Sequence, residues 1–191
     1  MSETNYMTKN SVVTFAVLFF SVLVFSGCLT TEHKEYRLKI KKDGSGTAVI
    51  KHVNILSQKD EGKDQSFKDF AELVTDYIDG NKLQDDYPDA KIISKKLFEE
   101  NNQLMGEFEM EFNGIGTFKL YKFDEDSPYM FYVDSFSETY VESNGTYNPD
   151  VMPIIFWDKN TTDFYIKTRV TDLTDDTSHV SLVEQYRKWK Q

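Results

Sequence analysis

The sequence predicts an α+β domain, an antiparallel sheet of about six to eight strands with two amphipathic helices, following a cleavable N-terminal signal helix. Three observations carry this reading. Alternation of apolar and polar residues with a period of two recurs through most of residues 36–170. Helical spacing of three and four is confined to two stretches, one near residue 70 and one at the C-terminus. Ahead of both lies an almost unbroken apolar run, Val12 to Phe25.

That run is interrupted only by Thr14 and Ser21. As a helix rising about 1.5 Å per residue it covers about two-thirds of a hydrocarbon core of roughly 30 Å, the length of a signal-peptide apolar region rather than of a membrane span. Lys9 precedes it, and either Met1 or Met7 serves as the start. Phe25-Ser26-Gly27-Cys28 follows. This tetrapeptide resembles the lipobox of bacterial lipoproteins, with small residues before the cysteine and Phe25 where Leu, Val or Ile is usual. The resemblance implies cleavage between Gly27 and Cys28 and a diacylglyceryl group on the Cys28 sulfur. An uncleaved anchor helix and a buried N-terminal helix are the alternatives.

Residues 1–27 are thus expected to be a signal peptide, 28–35 a lipidated cysteine with a polar tether, and 36–191 a single domain. Leu29 is not Asp, so under the sorting rule of enterobacterial lipoproteins the implied address is the outer membrane, and the lack of a dense acidic run after Cys28 favours its periplasmic face over the cell surface, with the inner membrane the other alternative. The membrane is then a partner through the lipid.

Tyr36, Leu38 and Ile40 alternate with Arg37, Lys39 and Lys41, Asp43-Gly44-Ser45-Gly46 supplies a hairpin turn, and Thr47 to Leu56 returns as a second strand. Ser66 is expected to cap a helix carrying Phe67, Phe70, Leu73, Val74, Tyr77 and Ile78, ended by Gly80-Asn81. Extended chain follows over 90–97. In 104–112, Leu104, Phe108, Met110 and Phe112 share a face with Gly106, and Glu107, Glu109 and Glu111 share the other. Further strands are expected over 118–123, 129–133, 138–141, 153–157 and 164–170, with Asn144-Gly145 as a turn and a last helix from about Ser178 to Lys190. The opening of the chain, from export signal and lipobox to the strand-Asp-Gly-Ser-Gly-strand hairpin, also resembles LppM-like bacterial lipoprotein domains, a likeness that implies no catalytic residues.

Composition excludes several functions. The net charge is −10, and Glu3 and Lys9 cancel within the first 27 residues, so the domain carries the whole acidic balance and disfavours nucleic acid. A single cysteine rules out an internal disulfide and a thiolate metal cluster. His33, His52 and His179 show no metal-ligand spacing, and no metal or cofactor is expected. The acidic groups Asp85-Asp86-Asp89, Asp124-Glu125-Asp126 and Asp172-Asp175-Asp176 lack calcium-loop spacing and suit solvated turns. Nucleophile elbow, P-loop and dinucleotide motifs are missing, so no catalytic residue is assigned. Among the aromatics, Tyr132 and Tyr140 are candidates for an exposed partner-binding patch, although cross-strand packing accounts for such residues too.

These readings converge on a non-enzymatic envelope lipoprotein that binds a partner or ligand. A carrier for a lipid or other apolar ligand, and an enzyme of unrecognised type, are the alternatives. The lipobox spacing generates a direct expectation. Cys28→Ser should abolish labelling by a palmitate analogue and leave unprocessed precursor, and normal labelling and maturation of the variant would refute the anchor.

Overall fold

The computed structural model describes residues 29–150, 152–174 and 177–191. Eleven strands and three α-helices follow in the order β1 (Leu29–Ile40), β2 (Gly46–Gln58), α1 (Ser66–Glu72), α2 (Lys82–Asp86), β3 (Ala90–Glu100), β4 (Gln103–Phe112), β5 (Leu120–Tyr121), β6 (Tyr129–Tyr132), β7 (Thr139–Ser143), β8 (Thr146–Asn148), β9 (Ile154–Trp157), β10 (Asp163–Arg169), β11 (His179–Ser181) and α3 (Val183–Trp189). Helix α1 runs on into a π-helical turn, Leu73–Ile78, and a 3-10 turn at Ile115–Phe118 precedes β5.

The α+β class holds, but the strands form two sheets rather than one. The larger has the order β3-β4-β2-β1-β10-β7, with β11 added against β2, and the smaller has the order β5-β6-β9-β8. All the pairings are antiparallel. Alternation reveals which face of a strand is buried but not which strand lies beside it. Strands β7 and β8 are separated only by Asn144-Gly145, yet they belong to different sheets.

One face of the large sheet is covered in two halves. At one end Ile55 and Leu104 pack under Phe70, Leu73 and Val74 of the first helix and Leu182, Val183 and Tyr186 near α3. At the other end Leu38, Ile50, Phe108, Met110 and Phe164 pack against Phe131, Ile155 and Trp157 of the small sheet. Along β2 the inward residues are Ala48 and Ile50, then Ile55 and Ser57, so the parity changes between them. Asn54 makes that change by adopting a left-handed backbone, φ 57°, a conformation asparagine tolerates better than most residues. Its side-chain amide donates to Glu32 of the adjoining strand at 2.8 Å.

The opposite face of the large sheet is a solvated ladder of charges. Lys51 meets Glu100 and Lys96 meets Glu107, each at 2.6 Å, and Lys167 lies 3.7 Å from Glu35. Glu107, Glu109 and Glu111 point to this side, as the period of two requires, while Leu104, Phe108, Met110 and Phe112 are buried.

Four sequence expectations need correction. Residues 29–35 are not a tether. Strand β1 begins at Leu29, which pairs with Ser57, and Thr31 is buried. Their polar composition misleads because Thr30 and Thr31 hydroxyls and the Glu32 carboxylate find partners inside the sheet. The last helix starts at Val183, because β4 pairs with β2 only from Gly46 to His52 and leaves the end of β2 open for β11. Residues 118–123 hold only the two-residue β5, following the 3-10 turn. Ser66 does not cap α1. It is the first helical residue, its N–H donates to the Asp64 carboxylate at 2.8 Å, and Phe67 points outward.

The packing sets a test. Phe108→Ala should cost about 3–5 kcal/mol of stability in chemical denaturation, and Glu109→Ala no more than about 0.5 kcal/mol. A costlier Glu109 would mean that this face is closed rather than solvated.

Candidate functional site

Gly27 and Cys28, the expected cleavage and lipidation positions, lie outside the described residues. What the structure fixes is the position of their neighbour, Leu29, at the helical end of the large sheet.

Where the two halves of the core meet, β1, β2, β10 and the start of β7 bring together Lys34, Tyr36, His52, Thr168 and Glu138. The Glu138 carboxylate accepts hydrogen bonds from Lys34 Nζ at 2.9 Å, Tyr36 OH at 3.1 Å and Thr168 Oγ1 at 2.5 Å. Burial pushes this carboxyl up, but the Lys34 charge and the donated hydrogen bonds outweigh it and hold it below the ordinary value. Burial and the nearby carboxylate raise the Tyr36 phenol far above its usual range and push Tyr87 up to about 12. Burial, reinforced by the Lys34 charge, lowers His52 to about 3, and its ring stands edge-on to Phe108 with centroids 5.5 Å apart.

Near neutral pH the Glu138 carboxyl is therefore held ionised, and the Tyr36 and Tyr87 phenols and the His52 imidazole are held neutral. The three hydrogen bonds to Glu138 tie β1 and β10 to the segment before β7, so the cluster acts as a pin between strands. No local pattern signals it, because Lys34, Glu138 and Thr168 are brought together only by strand pairing.

Tyr132 and Tyr140 do not share a surface. Tyr140 belongs to the large sheet and stacks on Tyr147, centroids 3.9 Å apart. Tyr132 lies on the small sheet, 42% exposed, opposite Ile154. Cross-strand registers place Tyr121, Met130 and Phe156 in the next row of that same outer face. The inner face of this sheet is apolar as well, with Leu120, Phe131 and Ile155 in register. The outer face is thus largely apolar, with Tyr121 and Tyr132 exposed, Met130, Ile154 and Phe156 half-buried, and the polar Thr146 and Asn148 of β8 along its edge. The unbroken run Ile154-Ile-Phe-Trp157 is the signal for this, since a strand with a wet outer face would alternate. Carboxylates outnumber lysines around its ends, with Asp124, Glu125 and Asp126 on one loop and Asp134, Asp150 and Asp158 on others.

Two clefts open to solvent. One of about 700 Å³ is lined by Asp89, Lys91, Glu111, Asn113 and Thr117 among others, and its walls hold no histidine, serine or cysteine. The other, about 340 Å³, lies between the β1–β2 turn and the loop after β5. Among the described residues no group of three or more His, Cys, Asp or Glu is arranged to hold a metal ion. Asp124 instead accepts from Ser127 and from the Asp126 N–H, and Asp172 from the Thr174 N–H, as residues in turns do. Among the same residues no helix is long and apolar enough to cross a membrane. Compared with known protein families, with curated proteins and with solved structures, the chain matches none.

His52 provides a pH test. Its folded-state pKa of about 3 lies below the unfolded value of 6.5, so between these limits the unfolded chain binds more protons. Stability should rise with pH across this window, at up to about 1.4 kcal/mol per pH unit, and be lost as pH falls. His52→Gln should flatten that slope in denaturation series at pH 4 to 7, and an unchanged slope would exclude His52 as its source.

Proposed function

We propose that this protein is a lipid-anchored lipoprotein of the bacterial envelope that acts without catalysis, as a binding module for a polypeptide partner. The anchor rests on the Phe25-Ser26-Gly27-Cys28 sequence and the apolar run before it. The binding role rests on the outer face of the small sheet, where the exposed Tyr121 and Tyr132 stand in register with the half-buried Met130, Ile154 and Phe156. Exposed apolar surface of this kind is retained where a partner covers it, and aromatic residues contribute most to such contacts.

The acidic ends of the sheet select a partner with an apolar centre and a basic rim. They also disfavour an anionic lipid surface as the occupant. The two clefts described above are open and mix polar with apolar walls, which supports a surface for a polypeptide more than a pocket for an apolar ligand. The reading calls for no cofactor and no metal.

A photo-crosslinking residue in place of Tyr132, compared in living cells with one in place of Lys39 on the charged face, tests it. A light-dependent adduct with a basic polypeptide from position 132 alone supports the surface. Equal adducts from both positions, or none, would refute it.

A further inference from the structure

We infer that Asn113 is a site of spontaneous covalent modification, deamidation to aspartate and isoaspartate, and that the fold protects Asn144 from the same reaction. Asparagine followed by glycine is the context in which this chemistry runs fastest, because glycine has no Cβ to obstruct its backbone nitrogen. The chain contains two such pairs, Asn113-Gly114 and Asn144-Gly145. In the reaction the glycine nitrogen gives up its proton and attacks the asparagine Cγ. The new N–C bond closes a succinimide ring, the bond from Cγ to the amide nitrogen breaks, and that nitrogen leaves with the proton as ammonia. Water then opens the ring. Cleavage of the bond between Cγ and the glycine nitrogen gives aspartate, and cleavage of the bond between the main-chain carbonyl and that nitrogen gives isoaspartate. The only co-reactant is water.

Both asparagines are exposed, so access to solvent does not separate them. Hydrogen bonding does. The attack requires the carboxamide to swing onto the next backbone nitrogen, and that N–H to be free of its acceptor. At Asn144 both movements are blocked. Its Oδ1 accepts from the Trp157 indole at 2.7 Å and from the Tyr165 N–H at 2.9 Å, and its Nδ2 donates to the Asp163 carbonyl at 2.9 Å. The Gly145 N–H donates to Ser143 Oγ at 3.2 Å, and Trp157 is itself buried. Asn113 stands just past the end of β4, where no such bonds form. Among the described residues neither its carboxamide nor the Gly114 N–H has a hydrogen-bond partner. Gly114 is extended, and a Cβ built on it would meet nothing within 4 Å, so the space beside its backbone is open.

Asn113 lines the larger cleft together with Asp89, Lys91 and Glu111. Deamidation replaces a neutral amide there by a carboxylate, so the two acidic side chains facing Lys91 become three and the cleft turns more negative. In the isoaspartyl product the main chain also gains a carbon. Phe112 and Phe118 on either side are buried with their rings edge-on at 5.0 Å, so the loop between them, which walls the cleft, takes up the added length. Charge and shape of this cleft therefore change with the age of the molecule.

The protein would be incubated at mildly alkaline pH in water enriched in heavy oxygen, folded and in denaturant, then cleaved and mapped by mass spectrometry. Isoaspartyl methyltransferase would mark the isoaspartate. In denaturant both positions should convert at comparable rates, and incubation continues until position 144 has done so there. In the folded protein heavy oxygen should enter at position 113, while position 144 converts about a hundred-fold more slowly, because its hydrogen-bonded turn must first open. Gly114→Ala should slow conversion at 113 several-fold in the folded protein, since the added Cβ has room in the structure but crowds the attacking nitrogen. An intact Asn113 in folded protein over the same period would overturn the site. Equal conversion at both positions in folded protein would overturn the protection of Asn144.

Discussion

Strand β1 is hydrogen-bonded along both edges, to β2 from Leu29 to Ile40 and to β10 from His33 to Lys39. The rest of the fold depends on these two ladders. Without β1 the large sheet separates into β3-β4-β2-β11 on one side and β10-β7 on the other. Each half would expose unpaired backbone groups, and the inward residues Leu38 and Ile40 would be lost from the main core. The strand also carries Lys34 and Tyr36, two of the three donors that hold the buried Glu138. A first strand so deeply embedded must be in place before either half of the inner face can close.

The second point of dependence is the corner at Asn144-Gly145, where the chain passes from the large sheet to the small one. Asn144 Oδ1 accepts from the Trp157 indole at 2.7 Å and from the Tyr165 N–H at 2.9 Å, and its amide nitrogen donates to the Asp163 carbonyl. One side chain thus ties both sheets to a single turn. At Gly145 any Cβ would lie within 2.7 Å of Trp157, Ile155 and the Phe156 carbonyl, so only glycine fits. Asn-Gly reads in sequence as a hairpin, and here the same pair makes a crossing between layers.

The sequence revealed what depends on local periodicity. The burial of Leu104, Phe108, Met110 and Phe112, the Asp43–Gly46 turn and the helical run from Phe70 to Tyr77 were all legible because their partners need not be known. What escaped depends on distant pairing. The polar stretch from Thr30 to Glu32 looked like linker because its partners lie in β2 and at Thr171. Tyr140 looked like a surface aromatic because Tyr147, which covers it, stands across the sheet corner. Of the candidate binding surface only Tyr132 was singled out, since its row-mates come from β5 and β9.

The outermost strand of the large sheet, β3, has eleven residues and, among the described residues, no strand on its far side. A long bare edge of this sort invites self-association by strand addition. Here a register shift between Ile92 and Ser94 pushes Ile93 out of line and interrupts the edge. A second copy approaching this edge meets a broken hydrogen-bond pattern. At high local concentration, an edge built this way hinders neighbouring copies from joining into continuous sheet.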